Sequence, residues 1–299
     1  MSLPKVKLHG TGPEISRVAQ GFGSLVREEQ MDAKKLAEYI DACVDEGITA
    51  YDLASVYSGG EAESLFGEVL AMRPGLRERI TIITKYGIAG GGDDYHCYDT
   101  SKEAIIQSAE RSLIRMKLEH IDVFLMHRPD MLMDADEVAG ALNVLLKSGK
   151  ASHFGVSNFL PHQVDLLASR LDFPLIVNEV PYSLFDMTSQ ENGALDQCQQ
   201  RGITPLFYSP LGGGRLFNPV TSDDDRLLET MRKIAAEFGG VPVEQVAVAW
   251  VLKHPARGAA ILGCGRAEWM RNAAAGAKLV LTRDQWFRLW TAAKGHEIP

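Results

Sequence analysis

Short apolar runs alternate with amphipathic stretches from end to end of this 299-residue chain, with a repeat of roughly 35 residues. Eight runs read as strands: Val18–Gln20, Ile48–Asp52, Ile80–Lys85, Ile121–His127, Ser152–Val156, Leu175–Val180, Thr204–Tyr208 and Ala259–Gly263. Most are apolar at nearly every position, the pattern of strands covered on both faces. Such alternation implies a parallel sheet with crossover helices. Eight units in about 300 residues favour an α/β fold closed into a (β/α)8 TIM barrel. A doubly wound open sheet is the competitor. It usually brings a composition break or a second module, and neither is visible, so residues 1–299 read as one domain. Residues 5–8 and 13–16, on either side of Gly10-Thr11-Gly12, predict a β-hairpin closing the bottom of the barrel.

The helical stretches carry their own stop and start signals. Asp32 caps a helix that buries Leu36, Tyr39, Ile40, Cys43 and Val44, and Gly47 ends it. Thr100 with Glu103 has the spacing of a capping box ahead of Ile105, Ala109, Leu113 and Met116. Asp134 opens a helix that turns Val138, Leu142 and Leu145 inward and stops at Gly149. Further helices fit 161–170, 190–201, 223–238, 243–254, 267–276 and 282–294.

Composition narrows the partners. The formal net charge is −8, which argues against nucleic acid, whose binders carry a basic patch. No apolar run approaches the ~20 residues that span a bilayer, so no membrane partner is expected. The first residues lack the pattern of a secretory signal. Cys43, Cys97, Cys198 and Cys264 show neither pairing nor metal spacing and read as reduced thiols of a cytoplasmic protein. Nothing in the sequence sets the oligomeric state.

The strand ends carry the chemistry. Asp52 and Tyr57 follow the second predicted strand, Lys85 closes the third and His127 closes the fourth. In a barrel these ends meet around one mouth, where ligands bind. A phenol has an ordinary pKa of about 10 and is a poor acid at neutral pH. A neighbouring ammonium favours the phenolate and lowers that value. Lys85 supplies the ammonium, and Asp52 holds it ionised against the desolvation that would neutralise it. His127 is placed to hydrogen-bond a substrate carbonyl and orient it. The set suits delivery of a proton to a carbonyl oxygen while something else attacks the carbon. A strand-end Lys or His taken alone reads more readily as a solvated strand terminus; the joint pattern is what points to function.

No side chain offers itself as that attacking group. There is no Gly-x-Ser-x-Gly elbow and no His-Glu-x-x-His. A hydride from a nicotinamide cofactor fills the gap. Yet Gly21-Phe22-Gly23, Gly212-Gly213-Gly214 and Gly263-Cys264-Gly265 each lack the third glycine of a dinucleotide fingerprint, where Val26, Phe217 and Glu268 stand. A cofactor must be held otherwise. Gly155-Val156-Ser157-Asn158 ends the fifth strand, Tyr208-Ser209-Pro210-Leu211 the seventh, and Gly263-Cys264-Gly265-Arg266 the eighth, ahead of a helix. A helix N-terminus with an arginine suits an anion. The plain alternatives are a loop cap at Ser157 and Asn158, packing at Tyr208 and a surface charge at Arg266.

The motifs Tyr51-Asp52 with Tyr57, Thr84-Lys85, the strand ending at His127, Gly155-Val156-Ser157-Asn158-Phe159 and Tyr208-Ser209-Pro210-Leu211-Gly212 stand in an order and spacing that resembles the aldo-keto reductase superfamily over essentially the full length. The chain is most similar to bacterial members, in the branch that also resembles potassium-channel β subunits. The resemblance implies a (β/α)8 barrel that binds NADPH in extended form and reduces small-molecule carbonyl substrates. It implies Tyr57 as proton donor, Lys85 and Asp52 assisting, and His127 orienting the carbonyl. It also implies Ser157 and Asn158 at the nicotinamide amide, Tyr208 stacked on the ring, and Ser209 and Leu211 along the pyrophosphate. Gly23, Ser24 and Leu25 fall near the nicotinamide end. Gly263 and Gly265 precede Arg266, the match for the 2′-phosphate contact.

The chain departs from the family pattern in two places, at Glu179 and on the adenine-end helix. Glu179 stands where many members carry Gln, and an ionised Glu accepts hydrogen bonds but cannot donate them. Glu179→Gln is therefore expected to leave cofactor binding equal or tighter. Trp269 and Ala273 occupy the usual Arg and Asn positions of the adenine-end helix, leaving Glu268 and Asn272 as the candidates there. The Gly-rich loop Gly87–Thr100 reads either as an overhang of the mouth or as a solvent loop. Leu25, Tyr86, Arg128 and Phe159 flank the four catalytic candidates as possible pocket walls. The short tail Gly295–Pro299 predicts no long C-terminal lid and hence relaxed specificity. Two other functions compete: an NADP(H)-binding sensor or accessory subunit with little turnover, and a metal-dependent barrel enzyme using Asp52, His127 and Glu179.

Overall fold

The computed structural model describes residues 2–28, 30–90 and 96–298. In chain order the strands are β1 (Lys5–Lys7), β2 (Glu14–Ser16), β3 (Val18–Gly21), β4 (Ala50–Asp52), β5 (Thr81–Tyr86), β6 (Ile88–Gly90), β7 (His96–Tyr98), β8 (Ile121–Met126), β9 (Ala151–Ser157), β10 (Leu175–Pro181), β11 (Thr204–Tyr208) and β12 (Ala259–Leu262). The helices are α1 (Leu25–Glu28), α2 (Ala33–Asp45), α3 (Glu61–Met72), α4 (Lys102–Met116), α5 (Ala135–Lys147), α6 (Pro161–Ala168), α7 (Thr188–Glu191), α8 (Ala194–Arg201), α9 (Ser222–Glu237), α10 (Val243–Leu252), α11 (Ala267–Gly276) and α12 (Arg283–Lys294).

Eight parallel strands close into a barrel in the order β10-β11-β12-β3-β4-β5-β8-β9, with helices around it. All eight correspond to the strands expected from the apolar runs. The fold is the (β/α)8 TIM barrel. Inward residues fill its centre: Ala19, Ala50, Ile83, Val123, Leu125, Val177, Leu206 and Ala259 are fully buried in one cluster. Gly155 belongs to this tight wall, since a Cβ there would meet the Val177 carbonyl at 2.6 Å. The hairpin β1–β2 pairs Val6 with Ile15 and sends Leu8 and Ile15, both 0 % exposed, into the same cluster. The barrel is thus plugged at the hairpin end, and its open mouth is the rim at the C-terminal ends of the strands.

Side-chain caps open α2, α4, α5, α9 and α12. Asp32 accepts the Lys35 backbone N–H at 2.8 Å, and Asp134 accepts those of Asp136 and Glu137. The expected cap at Thr100 is displaced by one residue. Ser101 receives the Ala104 N–H, while the Thr100 hydroxyl turns to Asp130 at 2.7 Å. The expected helix 190–201 is two helices, α7 and α8, broken where Gly193 adopts φ +82°. Helices α1 and α3 escaped the sequence reading. In the loop Gly87–Thr100, β6 and β7 form an antiparallel pair. Residues 91–95 of that loop lie outside the described residues.

Candidate active site

Asp52 is the last residue of β4, Lys85 the penultimate residue of β5, and His127 follows β8 directly. The ladder continues past the strand ends: Ser55 N–H donates to the Lys85 carbonyl at 3.1 Å and His127 N–H to that of Tyr86 at 2.9 Å. This brings Tyr57, at the start of a 3₁₀ turn (Tyr57–Gly60), back over the mouth. Lys85 Nζ donates to both oxygens of Asp52 at 2.7 Å, to the Leu53 carbonyl at 3.0 Å and to Tyr57 Oη at 3.3 Å. The His127 ring meets the Tyr57 ring edge-on, with centroids 5.6 Å apart. The four predicted groups therefore converge on one rim.

Burial governs the charges. It disfavours the Lys85 ammonium, but Asp52, then Glu179 and Tyr57, outweigh it and raise the pKa, so the charge is retained. Burial raises the Tyr57 phenol above its ordinary value. Lys85 pulls it down, while Asp52 and Glu179 push it up. The expected net lowering of Tyr57 is thus corrected: the ammonium offsets desolvation without reversing it. His127 is pushed down to about 3 by burial, helped by the positive charges of Lys85 and Arg128, and is neutral at physiological pH.

Glu179, on β10, is 4 % exposed and faces the same centre. Its Oε2 lies 3.2 Å from Lys85 Nζ, yet accepts no hydrogen bond. Burial, and then the Asp52 charge, push the Glu179 carboxyl up to about 8. Burial also pushes Asp52 up, against the pull of Lys85. Asp52 holds the ammonium with two short bonds, so the proton shared by these carboxyls belongs on Glu179. Burial and the Asp52 charge thus favour the neutral acid of Glu179 over the ionised form taken in the sequence analysis, and a neutral acid can donate.

A cleft of about 360 Å³ opens on these groups, walled by Gly21, Gly23, Ser24, Arg128, Ser157, Asn158 and Tyr208 among others. It shares Ser24, Ser209, Ile261 and Gly263 with a second cleft of about 270 Å³ that runs along Leu211, Gly213, Gly214, Phe217 and Trp269. Together they form one elongated groove from the barrel mouth to the loop before α11. Two non-glycine residues on it have left-handed backbones, Asn158 at φ +64° and Ser209 at φ +53°. Such conformations cluster at binding sites. Tyr208 Oη donates to Asn158 Oδ1 at 2.8 Å, and Asn158 Nδ2 donates to Ser157 Oγ at 2.7 Å, which fixes three of the predicted side chains to one another.

Other predicted residues fall elsewhere. Leu25, Tyr86 and Phe159 are each 1 % exposed and pack in the core outside the barrel wall. Tyr86 is adjacent to Lys85 on β5, and neighbouring strand residues point to opposite faces. Of the flanking candidates, Arg128 does line the mouth. Arg266 is exposed, opens α11 and lies over the Trp269 ring at 5.2 Å, while Trp269 stacks on Phe217. Gly265 is half-buried in the same loop, and Glu268 is exposed on the first turn of α11. Asn272 donates to Glu244 on α10 at 2.8 Å, so its amide is engaged away from the groove.

The sequence reading missed the brace behind Tyr57. Glu63, 0 % exposed on α3, accepts from Thr84 Oγ1 at 2.7 Å and from Arg115 Nη1 at 3.2 Å. Arg115 also donates to the Ser55 carbonyl at 2.9 Å. The only local signal was Glu63 in a helical stretch that had not been recognised as one.

The model of the Aldo/keto reductase family matches residues 18–293. The chain belongs to the aldo/keto reductase family. It is 43% identical to the oxidoreductase YdhF of Escherichia coli (strain K12), covering 99% of each chain. It is 37% identical to a 6-dehydroglucose reductase of Agrobacterium fabrum, over 95% of this chain and 96% of that one. Among solved structures, a glycerol dehydrogenase of Gluconobacter oxydans superposes with a TM-score of 0.86 at 25% identity, over 99% of this chain and 97% of the other. The chain is thus an oxidoreductase of the aldo/keto reductase family. Among the described residues no helix is long and apolar enough to cross a membrane, and no cluster of three or more His, Cys, Asp or Glu is arranged to hold a metal.

Proposed function

We propose that this aldo/keto reductase is an NADPH-dependent reductase of aldehyde and ketone carbonyls in which Tyr57 is the proton donor. The observation that carries the reading is the Lys85 ammonium, tied to both oxygens of Asp52 and 3.3 Å from Tyr57 Oη, at the head of an elongated groove. The groove fits the cofactor in two further respects. A buried polar atom at its head, His127 Nδ1, has no partner, and around Gly23 a Cβ would only just touch Tyr57, leaving room for a flat ring.

Bound NADPH supplies the hydride that reduces the carbonyl carbon. Tyr57 gives its proton to the carbonyl oxygen as charge develops there, and Lys85 stabilises the phenolate left behind. His127, being neutral, offers a ring N–H that orients the carbonyl. Ser157 and Asn158 offer a hydroxyl and an amide to the nicotinamide carboxamide, and Tyr208 offers a ring face. Ser209, Leu211 and Gly263 line the second half of the groove and would hold the pyrophosphate. Arg266, at the N-terminus of α11, would take the 2′-phosphate.

The relative named for 6-dehydroglucose reduction favours a hydroxylated aldehyde as the first substrate to try. The test is NADPH oxidation with 4-nitrobenzaldehyde and with a sugar-derived aldehyde, alongside fluorescence titration with NADPH and NADH. Binding of neither cofactor, or no oxidation with any carbonyl, would overturn the proposal.

A further inference from the structure

An ammonium has three N–H groups. Around Lys85 four groups compete for them: Asp52, the Leu53 carbonyl, Tyr57 and Glu179. The first three accept hydrogen bonds, at 2.7, 3.0 and 3.3 Å. Glu179 Oε2 stands at 3.2 Å with none. The donors of Lys85 are used up before Glu179 is served.

A buried carboxylate without a donor is costly, whereas the protonated acid is not. The groups facing Glu179 do not relieve it. Asp52 on β4 is a like charge, and Tyr57 and the Tyr208 phenol on β11 are neutral. His127 after β8 is neutral, and Arg128 is exposed at the mouth. Among the described residues Lys85 is the cation within ion-pair distance. If Glu179 ionises, it must take an N–H from one of the three acceptors already served. The longest bond of the set is the one to Tyr57.

We propose that Glu179 is a positioning residue that gates the proton donor: as an acid it leaves the third N–H of Lys85 on Tyr57, and as a carboxylate it takes that N–H for itself. The inference rests on the reductase reading and adds a regulator to it. The direction follows from the contacts. Glu179 ionised adds a negative charge beside the phenol and withdraws its hydrogen bond, and both make Tyr57 a weaker acid. Reduction therefore falls as pH rises through the titration of Glu179, whose carboxyl is pushed up to about 8.

Two measurements test this. The first needs neither cofactor nor activity: infrared spectra of the wild-type protein with 13C-labelled glutamate, from about pH 6 to about pH 10. A carboxylic-acid C=O band is expected at low pH that shifts with glutamate labelling and vanishes with a midpoint near the value above. Absence of the band, or a shift only with aspartate labelling, would overturn the proposal by placing the proton elsewhere. The second is the pH profile of kcat/KM for carbonyl reduction at saturating NADPH. Wild type is expected to lose about tenfold per pH unit above the Glu179 midpoint, the slope of a single titrating group, and Glu179→Gln to stay flat there. An unchanged descending limb in Glu179→Gln would overturn the gate. A titrating glutamate band in a protein that reduces no carbonyl would keep the acid but overturn the reductase reading, and the gate with it.

Discussion

Arg115, on a helix outside the barrel, donates a 2.9 Å hydrogen bond to the carbonyl of Ser55, two residues before Tyr57. Its other partner is the fully buried Glu63. Removing the guanidinium frees the turn that carries Tyr57 and leaves a buried carboxylate short of a partner. Arg115→Ala is expected to lower kcat by tenfold or more, since small misplacements of a catalytic group are costly. It should also lower stability by about 2 kcal/mol. Kinetics and urea denaturation check both, and adding Glu63→Gln should restore part of the stability but not the rate.

Tyr57→Phe keeps the ring that packs against His127 and removes only the hydroxyl. Reduction is expected to fall by roughly 10²- to 10⁴-fold, the usual worth of a placed acid. The NADPH dissociation constant, read by fluorescence, should change less than threefold or so. Undiminished turnover would remove Tyr57 from the acid role.

Lys85 lies between two carboxyls, and this makes Asp52 replaceable in part. In Asp52→Asn the like charge disappears, Glu179 ionises and becomes the counter-ion of the ammonium. Breaking a buried pair ordinarily costs about 3–5 kcal/mol. The single substitution is expected to cost less than that range, and Asp52→Asn combined with Glu179→Gln the whole of it. A double-mutant cycle from denaturation curves should show the pair costing more than the sum of the singles. Plain additivity would refute the sharing.

His127 has a folded-state pKa of about 3. An unfolded histidine titrates near 6.5. The contribution of the neutral imidazole is therefore fully present above about pH 6.5 and is lost as pH falls toward 3, because the unfolded chain takes up a proton that the folded one refuses. The slope is at most about 1.4 kcal/mol per pH unit. Thermal melts of wild type and His127→Gln from about pH 7 to about pH 4 should show wild type losing stability faster. The activity profile should show no acidic limb between about pH 6 and 7 assignable to this ring.

Arg266→Ala is expected to weaken NADPH binding by about tenfold, the scale of one charge-assisted contact to phosphate, and to leave NADH binding unchanged. Parallel titrations with the two cofactors decide it. Equal losses would place Arg266 in the stack on Trp269 and not at the phosphate.

The barrel was legible because a strand covered on both faces announces itself by an unbroken apolar run, whatever its neighbours do. The convergence of Asp52, Lys85 and His127 was legible for a related reason: parallel strands put their C-terminal ends on one rim. Helix α3 was not, because it begins directly after Gly59 and Gly60 without a side-chain cap to mark its start. The Glu63–Arg115 brace joins α3 to α4, a pairing that no local pattern encodes. The upward push on the Glu179 carboxyl was not legible, because it comes from burial and from Asp52, which only the assembled site brings together.

Val18 pairs with Ala260, so the first barrel strand is stitched to the last. During synthesis this seam stays open until β12 has been made, and pairings between such distant residues are slow to form. Until then the polar rim has no wall on the β12 side and the barrel's apolar filling is exposed. A nascent chain that carries Tyr57 and Lys85 but not yet β12 therefore lacks one wall of the groove those residues open on.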